Sequence, residues 1–249
     1  MGWLAENQLV MGEFKEKAHK ILSRAGFPKE AVQVKTQTRK TGILQDIIQE
    51  SYQGYHALAV GRTGMSWLKD LVMGSLAYKL AYKVRHMPTI VVGGHPISKK
   101  ILIGLDDSTE AMRAVHGLGR LADAVDTEVT LCHVLMLPGM FRTSSGKLEL
   151  TEREQDWLAY NKNKFRPTMA AAIQRLVDAG FHKNRIKEKY VCQKGNPVQK
   201  LIETAHEGHF GTVVVGRRKA TSFFKELIWG HFSDTIIKVM DNIAVWVAN

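Results

Sequence analysis

From residue 99 onward the apolar positions switch between two periods. ILIGL (101–105), EVTLCHVL (128–135), GTVVVG (211–216) and IAVWVA (243–248) are short apolar runs of the kind buried on both faces of a parallel sheet. RIKEKYV (185–191) alternates like a strand with one buried face. Between these runs the spacing becomes helical. Met112, Val115, Leu118 and Leu121 share one face of a helix that Ser108 caps and that runs to Ala124. A polar loop with Pro138, Gly139 and Gly146 leads to a helix over 152–178, which stops at Gly180. Asn196-Pro197 opens a helix to about 207, and another covers about 231–240. Five strands alternating with four helices predict an open, mostly parallel α/β sheet with helices on both faces.

Upstream the pattern repeats in part. It predicts a helix over 4–24, a strand at AVQVKTQ (31–37), a helix over 43–53, a strand at HALAV, a helix over 75–86 and a strand at PTIVV. Ala25-Gly26-Phe27 returns as Ala179-Gly180-Phe181, and LQDIIQE (44–50) resembles VQKLIET (198–204), both 154 positions on. Val60-Gly61-Arg62 returns as Val215-Gly216-Arg217, and TIVV (89–92) aligns with AVWV (244–247), both 155 on. Two tandem domains are expected, 1–98 and 99–249. The first lacks its strands 1 and 2 and the helix between them. On this reading the open reading frame extends upstream by roughly 50–60 residues. The two closing strands would otherwise be bare edges, so they are expected to pair antiparallel.

Composition narrows the class. Among 249 residues, 45% are hydrophobic and 24% charged, as in ordinary soluble domains. No apolar run approaches the ~18–20 residues of a bilayer span, and the N-terminal sequence lacks the form of a signal peptide. Cys132 and Cys192 both lie in strand-like runs and read as buried free thiols, which suits a reducing cytoplasm. The net charge is +11, shared as +6 over 1–98 and +5 over 99–249, with no block of five or six basic residues. A solvated basic surface accounts for it, and a nucleic-acid partner is not expected.

The stretch GRTGMSWLKDLVMGS (61–75) follows a strand and leads into a helix. Gly61, Gly64 and Gly74 are either turn glycines or a phosphate cradle. In the second case their backbone N–H groups meet an anion, and Ser75 adds a hydroxyl at a helix start. The spacing matches neither the P-loop nor the G-x-G-x-x-G fingerprint. Ser144-Ser145-Gly146 has no local acid or His and reads as linker. The ten histidines show no metal-ligand spacing.

GRTGMSWLKDLVMGS fits the G-x2-G-x9-G-[S/T] signature of the universal stress protein family, and ILIGLDDSTEAMRAV resembles that family's opening strand and helix. TLCHV resembles its second strand, and PTIVV and AVWVA its closing strand. The resemblance implies a five-stranded sheet of order 3-2-1-4-5 and an adenine-nucleotide-binding protein of stress regulation. ATP or AMP would be the ligand, with magnesium accompanying ATP. It carries Gly61, Gly64, Gly74 and Ser75 over as the phosphate and ribose loop, with Arg62 and Leu76 beside it. Asp106 matches the acid that ends the first strand and contacts the nucleoside, and Val134 an adenine contact. In the second loop Gly216 and Gly230 are kept, Lys219 stands where Gly is expected, the arm is one residue longer and His231 replaces the hydroxyl. The partners implied are the nucleotide and either the tandem copy or a homodimer mate. A nucleotide-free interaction scaffold and a small nucleotidyl-transfer or hydrolase enzyme remain alternatives on the same fold.

Overall fold

A computed structural model describes residues 3–62, 75–96, 98–122, 124–136, 151–193, 197–217 and 242–248. The chain parts into two compact units, Met1–Asp46 and Ile47–Asn249.

The larger unit is built on a seven-stranded sheet. Its strands are β1 (Leu58–Gly61), β2 (Thr89–Val92), β3 (Lys100–Gly104), β4 (Glu128–Met136), β5 (Ile186–Gln193), β6 (Thr212–Gly216) and β7 (Ala244–Ala248). They lie in the order β1-β2-β7-β6-β3-β4-β5. Every pairing is parallel except β2 with β7, where Ile90 faces Trp246 and Val91 faces Val245. The two closing strands therefore meet antiparallel, as their apolar edges predicted. Counted from β3, the last five strands follow the order 3-2-1-4-5.

Strand alternation divides the core into two layers. Ile101, Ile103, Val129, Leu131, Val214 and Trp246 pack against the helices α4 (Thr109–Leu121) and α5 (Glu152–Asp178). On the other face Leu102, Cys132, Val213 and Val245 meet α3 (Ser75–Lys83) and α6 (Pro197–Glu207). Helices thus cover both faces, and the expectation of an open α/β sheet holds.

The helix ends follow from local chemistry. Ser108 caps α4 by accepting from the Ala111 amide at 3.1 Å. Thr151 and Glu154 form a capping box at the start of α5, with the Thr151 amide 2.7 Å from the Glu154 carboxylate. The chain leaves α5 through Gly180 at φ +96°, and the Phe181 amide returns to the Leu176 carbonyl at 3.0 Å.

The smaller unit contains α1 (Trp3–Arg24), a 3-10 turn, Lys29–Ala31, and the start of α2 (Ile43–Glu50). Here the strand expected at AVQVKTQ is not formed. Ala31 belongs to the 3-10 turn, and residues 32–39 pair with no strand. In the order 3-2-1-4-5 a third strand bonds only to a second. The counterpart run, β5, has β4 beside it; the first half offers no such neighbour among the described residues. Further short stretches of the two halves correspond. Trp3-Leu4-Ala5 returns as Trp157-Leu158-Ala159, and the turn Lys29–Ala31 returns as Lys183–Arg185, both at the same interval of 154.

Candidate functional site

β3 is flanked by β4 on one side and β6 on the other, so the chain leaves its carboxyl end toward one neighbour and the other neighbour arrives by a separate crossover. Such a switch point opens a crevice beyond the strand ends, where ligands of open α/β sheets bind. Asp106 stands there, two residues beyond β3, half-buried. Its Oδ1 accepts from the Ser108 amide at 2.9 Å and from the Ser108 hydroxyl. The carboxylate is therefore locked to the turn that starts α4. Val134 follows on β4, half-buried, and Gly216 ends β6.

His133 closes the same region from within. Its Nδ1 is 2.8 Å from the Leu105 carbonyl, which can only accept, so Nδ1 carries the proton. The ring lies parallel to Phe165, centroids 3.5 Å apart, with the Tyr190 edge toward it at 6.2 Å. Burial pushes its pKa down, opposed by the Leu105 hydrogen bond and by the charges of Asp106 and Asp107, so the imidazole is held neutral in an aromatic stack.

Gly216 has a packing reason of its own. A Cβ there would meet the Glu110 carbonyl carbon at 2.4 Å and the Ala111 nitrogen at 2.5 Å. The first turn of α4 occupies the space that a side chain would need, so this glycine is required for helix-on-strand contact whether or not phosphate approaches it.

Arg217, next in the chain, was not singled out from sequence. Its guanidinium donates to the Tyr82 carbonyl at 2.8 Å and to the Ala81 carbonyl, capping the C-terminal end of α3. Burial first, and then the neighbouring Arg85, pull its pKa down to about 10. The repeated Val-Gly-Arg was the available signal: the Arg217 amide bonds the Ala248 carbonyl at 2.8 Å, and the Arg62 amide bonds the Val92 carbonyl at the same distance.

The ten residues carried over by resemblance fall into separate groups. Asp106, Val134 and Gly216 lie at one end of the sheet. Gly61 and Arg62 close β1, which runs opposite to β6 because the β2–β7 pairing is antiparallel. They lie at the other end and do not join the Asp106 site. Leu76 is half-buried in the first turn of α3, and Ser75 begins that helix. Gly64, Gly74 and Gly230 lie outside the described residues, as do the helix expected over 231–240, the loop 137–150 and the side chain of Ser75.

Other chemistry is sparse. His86 Nε2 sits 3.2 Å from Ser51 Oγ but also 3.0 Å from the Ser51 carbonyl, while the hydroxyl donates to Ile48 at 2.6 Å. A ring nitrogen donating to a carbonyl cannot take the serine proton, so the pair is structural. Both cysteines are free, and burial pushes both thiols up, Cys132 to about 11. Among the described residues no three His, Cys, Asp or Glu side chains gather as metal ligands, and no helix is long and apolar enough to cross a membrane.

The profile of the universal stress protein family matches residues 98–247, more than half of the sequence. The chain belongs to the universal stress protein family. Among solved structures it is similar to a universal stress protein from Archaeoglobus fulgidus DSM 4304, at 20% identity over 95% of this chain and 77% of that one, with a TM-score of 0.53. It also matches the universal stress protein from Archaeoglobus fulgidus in complex with dAMP, at 16% identity, 61% and 99% coverage and a TM-score of 0.40. A universal stress protein family protein from Arabidopsis thaliana with AMP bound matches at 14% identity, 59% and 89% coverage and a TM-score of 0.37. A search among curated proteins returns no match.

Proposed function

We propose that this universal stress protein binds an adenine nucleotide, AMP or ATP, at the carboxyl end of β3, and serves stress-linked regulation in the cytoplasm rather than metabolic catalysis. The observation that supports this reading is the placement of Asp106, half-buried at the switch point between β4 and β6, with Val134 and Gly216 on the flanking strands. A carboxylate suits ribose hydroxyls and a half-exposed valine suits an adenine face. With no metal-ligand cluster among the described residues, magnesium would arrive on the triphosphate. The chain is read as a tandem of modules, 1–98 and 99–249. The first keeps the loop glycines Gly61, Gly64 and Gly74, and the second keeps the acid. On this reading each end of the sheet holds only part of a site, so affinity is weak, with Kd on the order of 1 mM.

A nucleotide-free scaffold is favoured by one observation: Gly216 is explained by the seat of α4 without any phosphate. Calorimetry separates the readings. Titrating the full chain with AMP and with Mg-ATP should give weak saturable heat that Asp106→Ala removes. An absence of heat from either nucleotide would leave the scaffold.

A further inference from the structure

The antiparallel seam carries a piece of the first half to the Asp106 end of the sheet. Thr89, the first residue of β2, lies beside Val247 near the carboxyl end of β7, and Gly216 closes β6 beside Ala248. The turn from α3 into β2 therefore meets the residue that follows β6. That turn holds Arg85, and the residue after β6 is Arg217.

The two arginines stand close with no counter-charge. Arg217 is half-buried, and both its burial and the charge of Arg85 pull its pKa down. Two of its five N–H groups cap α3 at the Tyr82 and Ala81 carbonyls, which leaves three outside that role. Arg85 is exposed, and its guanidinium rests over the Tyr82 ring, 5.4 Å from the centroid. Helix capping accounts for Arg217 but gives no reason for a second guanidinium beside it. Among the described residues neither meets a carboxylate; the ion pairs there join Lys99 to Asp126, Lys187 to Glu128 and Lys200 to Glu203. The sequence around both arginines is also free of acid, from Asp70 to Asp106 and from Glu207 to Glu226. Repulsion and the loss of water both disfavour such a pair, and an anion held between the forks offsets both.

We propose that Arg85 and Arg217, one from each half of the chain, form a side-chain site for a phosphoryl dianion at the carboxyl end of β6. A phosphate monoester carries about −1.5 to −2 charge at pH 7 and three acceptor oxygens, which matches two guanidinium forks better than one carboxylate does. The inference needs no nucleotide, because free phosphate offers the same chemistry. The other source is the phosphate of a nucleotide at the Asp106 site, and on that source alone it rests on the nucleotide reading. Side-chain charge would then serve where the second loop carries Lys219 and His231 in place of the signature Gly and hydroxyl.

The test follows the arginine Hε signals of the full chain by NMR while inorganic phosphate, and separately AMP, is added at constant ionic strength. Saturable one-to-one shifts of Arg85 and Arg217 are expected. Arg85→Gln alters an exposed side chain and should weaken binding about ten-fold or more. Lys183→Gln, at the amino end of β5, should change nothing. Phosphate binding that Asp106→Ala leaves intact, with no added affinity for AMP, supports the site with free phosphate as its source and removes the nucleotide reading. Tighter binding of AMP, lost in Asp106→Ala, supports it with the nucleotide as source. AMP binding undiminished by Arg85→Gln would overturn the proposal and leave the nucleotide reading standing. Absence of saturable shifts with either anion, or an equal loss in Lys183→Gln, would overturn it as well.

Discussion

Ala25-Gly26-Phe27 and Ala179-Gly180-Phe181 fold alike and are buried differently. Each glycine is left-handed, at φ +91° and +96°, and each phenylalanine amide returns 3.0 Å to a leucine carbonyl five residues back. Yet Phe181 is 2% exposed and Phe27 is 52% exposed. The helices before them share the disparity. Phe165, Met169, Ala172 and Leu176 are core residues on α5, while Met11 and Ile21 on the helix Trp3–Arg24 are exposed. Local sequence therefore determines the turn, whereas burial depends on whether β3, β4 and α4, or their equivalents, lie alongside.

That contrast is open to measurement. Phe181→Ala should lower stability by about 3–5 kcal/mol, and Phe27→Ala by less than about 0.5 kcal/mol. Urea unfolding of both variants checks it, and similar losses would mean that Phe27 has a packing partner in solution. The strand-end glycines come next. Gly216→Val must displace the main chain of α4 and should cost about 1–3 kcal/mol, while Gly61→Val, at an exposed strand end, should cost under about 0.5 kcal/mol. Equal costs would show that the two strand ends are occupied alike.

Much of the second half was legible. All five of its strands and the helices α4, α5 and α6 begin or end within a few residues of the positions read from apolar period, caps and glycines. The antiparallel seam of β2 and β7 followed from two apolar runs that each lacked a neighbour. The strand expected at AVQVKTQ failed because β propensity expresses itself only through a partner strand, and among the described residues none lies beside it. At the site, Asp106 was placed correctly at the end of β3, but its lock onto Ser108 was not foreseen. Gly216 reads as a phosphate contact, and no sequence signal showed that the main chain of α4 fills the space its Cβ would need. Arg217 stayed invisible because its acceptors are carbonyl oxygens 135 and 136 positions away, which any residue type presents.

Two smaller effects sharpen the comparison. Arg217→Met leaves the last carbonyls of α3 without their cation and should lower stability by about 1–2 kcal/mol, with faster amide exchange in the last turn of that helix. An unchanged exchange pattern would show that water replaces the guanidinium without loss. The smallest effect belongs to Asp46. Its carboxylate accepts from the Thr41 hydroxyl at 2.7 Å and from the Lys40 and Thr41 amides, which hold its pKa at about 2 against the usual 3.8. The folded value is the lower one, so its contribution is complete above about pH 4 and fades as pH falls toward 2. A carboxyl NMR titration should show that low midpoint, and Asp46→Asn should flatten the acid limb of stability slightly.

The antiparallel seam between β2 and β7 also sets a stoichiometry. It sends β1 and β6 toward opposite ends of one sheet, so their carboxyl ends lie roughly 15 Å or more apart, the length of a strand of four or five residues. One mononucleotide cannot lie across both strand ends, and a chain that fills both must take up two. Its isotherm would then resolve into two independent equivalents, each answering to the residues of its own end of the sheet.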